Sequence, residues 1–162
     1  MPQYFWANYT DIPPELITYN FSPTHIAWAC AALILIVLAA LGYRRQAPSA
    51  KRGILRFLAV LMTAVELSTW VWAAVMGCYN PADMLPLHLC GVSVFVEFAA
   101  VFGRSGLLRE FTYALSLPAA LLAIAMPGWY YPFFTFRYLA SAGLHTLLAL
   151  IPILVVWGDG FC

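Results

Sequence analysis

The sequence predicts an all-α fold, a polytopic transmembrane helix bundle of about five spanning helices with its N-terminus outside. Three observations predict it. The 162 residues are 64% hydrophobic and only 9% charged, whereas a soluble domain is about half apolar and a quarter charged. The apolar residues gather into five runs of the length that crosses hydrocarbon, which takes ~20 residues of helix. The short polar breaks between the runs are basic on one side of that threading, the mark of cytoplasmic loops. The net charge of +1 gives no basic field for nucleic acid, and the partners expected are membrane lipids.

Residues 1–20 contain no Lys or Arg but carry Asp11, Pro13, Pro14 and Glu15. They do not read as a secretory signal peptide. Their aromatics (Tyr4, Phe5, Trp6, Tyr9, Tyr19) suit an extracytoplasmic segment lying at the interface. Residues 21–157 form a single transmembrane domain, with helices at about 26–43, 54–77, 85–103, 107–126 and 138–157. Residues 158–162 are a short tail. Pro118 interrupts the fourth helix, which lipid-buried helices tolerate. Arg44, Arg45, Lys51, Arg52, Arg56, Arg104 and Arg109 fall on one side, opposite Asp11, Glu15 and Asp83. Arg137 alone among the basic residues falls on the other. The orientation that follows is a multi-pass protein of the cell membrane with its basic loops cytoplasmic. Trp70 and Trp72 read as interfacial, as do Phe133, Phe134 and Phe136.

The candidate site residues are the polar groups inside apolar runs. Glu66 and Glu97 must be neutral, paired or wet, because a buried carboxylate costs roughly 2.5–3.5 kcal/mol on insertion scales. A structural lock between helices and a functional role both fit them. The three histidines, His25, His88 and His145, all fall in the outer half of the membrane. Cys90 stands two residues after His88. At 100° per residue Cys90 and Glu97 share a face, while His88 points away from Cys90 unless Pro86 distorts the first turn. A dyad would then join Cys90 to a histidine of another helix, His145 being the best placed by depth, with Ser141 on the same face one turn earlier. Cys30, Cys78 and Cys162 read as small apolar residues. The four cysteines show neither a disulfide framework nor a zinc-finger spacing.

Four short motifs occur in order: Phe21-Ser-Pro-Thr-His25, Glu66-Leu-Ser-Thr-Trp70, Leu85-Pro-Leu-His-Leu-Cys90, and Tyr131-Pro-Phe-Phe-Thr-Phe-Arg137 followed by His145. They resemble the YwaF-like bacterial integral membrane family over about residues 21–153. The relatives are longer, with further helices, so the chain looks like a truncated member. The family is similar to the eukaryotic transmembrane protein 164 family. That resemblance implies a cysteine-dependent acyl transfer on phospholipids through a thioester, with Cys90 as nucleophile and a histidine as base. In one departure, the eukaryotic cysteine adjoins the matching histidine, whereas here Leu87 stands beside His88 and Cys90 lies two positions on.

Three functions compete. The first is an acyltransferase or acyl hydrolase with no cofactor, in which Cys90, His88, His145 and Glu66 act and His25, Glu97 and Ser141 orient. The second is a zinc-dependent hydrolase in which His25, His88 and His145 supply the three ligands. The third is a transporter or assembly protein with Glu66 and Glu97 as a relay.

Overall fold

The computed structural model describes residues 2–81, 88–103, 105–128 and 131–159. Among these, five apolar helical segments follow one another: α1 Pro23–Arg44, α2 Pro48–Val75, α3 Leu89–Phe102, α4 Gly106–Ala125 and α5 Phe136–Asp159. All but α3 are long and apolar enough to cross a membrane. The all-helical bundle expected from composition is the fold observed. Asp83, Arg104 and Cys162 lie outside the described residues, as do residues 85–87 of the Leu-Pro-Leu-His-Leu-Cys motif and the tail from residue 160.

Helix starts are set by local chemistry. Ser22 caps α1, its Oγ accepting from the His25 N–H at 3.3 Å, and Pro23 occupies the first turn. Proline suits that place because its missing N–H would have no intrahelical acceptor there. Pro48 does the same for α2. That helix therefore begins six residues before the expected 54, taking Lys51 and Arg52 into its first turns. Thr135 opens α5 by accepting the Tyr138 N–H at 3.3 Å. In α4 the residues Thr112–Ser116 form a π turn just before Leu117 and Pro118. Proline cannot donate to the preceding turn, and a local π adjustment absorbs that loss.

The central helix is α5, which packs on α1, α2, α3 and α4. Its length explains why it looked like any other span in the sequence; its small residues explain its position. Ala142 and Ala149 are buried, and they face neighbours that also bring alanine: Ala32 and Ala40 from α1, Ala59 from α2, Ala120 from α4. Without a hydrophobic drive between helices in lipid, such close approach is what holds them together. The buried stripe of α2 runs Leu55, Ala59, Met62, Glu66, Thr69, Ala73, a spacing of four and three that keeps one face inward. The outward faces of α1 and α2 are apolar, with Leu33, Ile34, Val37, Phe57, Val60 and Val71 exposed, as lipid requires. At the basic end, Lys51 lies over the Tyr43 ring and Arg56 over Phe102, 5.5 and 5.7 Å from the centroids.

At the opposite end the N-terminal segment straps the bundle. The Phe5 carbonyl accepts from the Phe136 N–H at 2.8 Å, and the Trp6 carbonyl accepts from the Trp72 indole at 3.1 Å. Trp6, Trp72 and Phe136 stack together. Trp72 and Phe136 therefore hold the segment down instead of only sitting at the interface, and Ile12 of the same segment is buried.

Candidate functional site

One cavity of about 280 Å³ gathers Glu66, His88, Cys90, Ser141 and His145 from among the candidate site residues. Glu66, Thr69 and Trp70 of α2 form one wall, because residues three and four apart share a helix face. The start of α3 brings His88 and Cys90. From α5 come Arg137, Ser141 and His145, spaced four and four along one stripe.

His88 corrects the helical-wheel expectation. It is the residue before the first turn of α3, with extended backbone (φ −83°, ψ 154°). The rule of 100° per residue does not apply across a cap, so His88 and Cys90 both face the cavity. Cys90 and Glu97 keep the shared face of α3, two turns apart. Cys90 is half-buried against the cavity, whereas Glu97 is fully buried below it, where α3 packs on the π turn of α4. Ser116 of that turn is the side chain that interacts with Glu97. Neither Glu97 oxygen nor Ser116 Oγ completes a well-formed hydrogen bond among the described residues.

Two histidines have their tautomers written by their partners. The His145 Nδ1 lies 2.8 Å from the Ser141 carbonyl. A carbonyl only accepts, so Nδ1 carries the proton and the lone pair of the neutral ring is on Nε2. His25 is different. Its Nδ1 accepts from the Phe21 N–H at 2.9 Å, so its Nε2–H donates to the Ile124 carbonyl at 3.0 Å. Phe21 adopts a left-handed backbone (φ 62°) to aim that N–H. With both nitrogens committed, the buried His25 ties the start of α1 to the end of α4. It does not line the cavity. Of the three histidines weighed as metal ligands, His88 and His145 share the cavity and His25 stands apart from it; among the described residues no group of three or more His, Cys, Asp or Glu stands close enough to hold a metal ion.

Glu66 is held from within its own helix. Its Oε1 accepts from the Trp70 indole at 3.2 Å, and its carbonyl accepts from Thr69 Oγ1 at 2.8 Å. Its carboxylate is near enough to Cys90 to act on it electrostatically. Trp70 is thus a cavity wall and a carboxylate partner, with Phe95 at 6.1 Å.

Arg137 is the residue that sequence reasoning passed over. The signal was present, since it is the one basic residue on the outer side of the threading. It occupies the second position of α5, where a cation opposes the helix dipole by about 0.3–1 kcal/mol. Its charge lies near enough to His145 for the two to interact.

Comparison with known proteins gives one finding. The model of the TMEM164 family matches residues 20–162. No curated protein and no solved structure matches the chain.

Proposed function

Since the chain belongs to the TMEM164 family and is an integral, multi-pass membrane protein by its apolar helices, we propose that it is a membrane lipid acyltransferase or acyl hydrolase of the YwaF-like bacterial branch. The observation that carries this reading is the single cavity shared by Cys90, His88, His145 and Glu66. A thiol, two imidazoles and a carboxylate on three helices are the parts of a nucleophile, base and orienting group.

In the proposed reaction, His145 or His88 takes the Cys90 proton as the sulfur attacks an acyl ester carbonyl. The tetrahedral oxyanion collapses, the ester C–O bond breaks, and the imidazolium returns the proton to the departing alcohol. A second alcohol, or water, then gives its proton to the imidazole and attacks the thioester, and the thiol is restored. Cys90 sits in the first turn of α3, whose leading N–H groups have no intrahelical acceptor. Such groups suit a developing oxyanion.

The active end of this reading faces outward. The basic loops lie in the cytoplasm of a cell-membrane protein, and residues 1–20 form an extracytoplasmic segment beside a single membrane domain. Arg52, Arg56 and Arg109 gather around a separate cleft, which supports one cytoplasmic face. The test is labelling of purified protein with an acyl-thioester-forming probe. Cys90→Ala and Cys90→Ser should each lose labelling and turnover by about 10³-fold or more. Turnover undiminished in Cys90→Ala would falsify the assignment.

A further inference from the structure

We infer that Arg137 makes the outer part of the cavity an anion subsite, the place where a phosphate ester of the substrate is held while its acyl ester lies against Cys90. The inference rests on the reading of the cavity as an acyl-transfer site and adds the group that selects the substrate. Arg137, Ser141 and His145 form one stripe of α5 facing the cavity. At 1.5 Å per residue the guanidinium-bearing and imidazole-bearing positions lie about 12 Å apart along the axis. An anion held by Arg137 thus sits at the outer end of the cavity, about two turns of α5 from the base. The cation is half-buried, and among the described residues no carboxylate pairs with it. A half-buried guanidinium facing a cavity calls for an anion, and its fork matches phosphate oxygens in pairs. The start of α5 adds to the attraction for negative charge. Glu66, the acid in the same cavity, is already engaged with Trp70.

A phosphate could arrive on a lipid or on a water-soluble phosphoester. Binding to Cys90→Ala protein is measured, so that the result does not depend on turnover. The probes are a lysophosphatidate, the monoacylglycerol of the same chain, and glycerol phosphate. The lysophosphatidate should bind roughly tenfold or more tightly than the monoacylglycerol. Arg137→Gln should abolish that preference, and Arg137→Lys should keep most of it. Competition by glycerol phosphate as strong as by the lysolipid assigns the subsite to soluble phosphoesters; weak competition assigns it to lipids. Equal binding of charged and neutral lipids, or a preference that survives Arg137→Gln in folded protein, overturns the inference. If Cys90 is not the nucleophile, the charge preference still stands or falls by itself.

Discussion

Replacing His25 by alanine removes a buried ring and strands two main-chain groups, the Phe21 N–H and the Ile124 carbonyl. Each unsatisfied group costs about 1–3 kcal/mol. Thermal denaturation in detergent should show a loss of about 2–4 kcal/mol in His25→Ala, while the residual folded protein keeps probe labelling at Cys90. Loss of labelling without loss of stability would return His25 to the reacting groups. Glu97 makes the opposite case. It is fully buried and completes no hydrogen bond among the described residues, so it burdens the fold instead of supporting it. Glu97→Leu should raise stability by about 1–3 kcal/mol in the same melting experiment, with Glu97→Gln close to the parent. A fall in stability for both would mean that the carboxyl has a partner worth more than its desolvation.

At the scale of elements, the start of α3 decides the chemistry. His88 occupies the cap position without a side-chain cap bond. Asn is among the best caps, so His88→Asn should strengthen this helix start by about 0.5–1 kcal/mol. Slower amide exchange at Cys90 and Gly91 would show it, alongside reduced labelling if His88 is the base. The same helix start marks where sequence reasoning stops. The apolar runs marked out the helical bundle, because hydropathy in lipid is a strong constraint, while the start of α2 was set by Pro48 and not by hydropathy. The four-three stripe of α2 and the i, i+4 relation of Ser141 to His145 were legible for the same reason. That Cys90 opens on the cavity while Glu97 packs against α4 was not, since it depends on which neighbour α3 meets at each level. Nor was the commitment of His25, whose partners are backbone atoms of a left-handed Phe21 and of a residue far along the chain. Arg137 was visible only as an exception to a charge rule.

For the whole molecule, the strap of residues 5 and 6 and the cavity share one end of the bundle, and the basic clefts share the other. Cysteines placed at Thr10 and Gln46, in a chain with its native cysteines replaced, should react with an impermeant reagent from the outside and the inside of the cell respectively. The reverse pattern would invert the proposed orientation. The central place of α5 carries a consequence for how the protein is made. Of the described helices it is the last to leave the ribosome, yet α1 has most of its packing surface against it. Until α5 arrives, α1 has little but lipid to rest on, whereas α2 and α3 already pack on each other and α3 packs on the π turn of α4. The docking of α1 is therefore a late event in the membrane, and bulky changes at Ala142 or Ala149 will be felt as a failure of biogenesis before they are felt as a failure of chemistry.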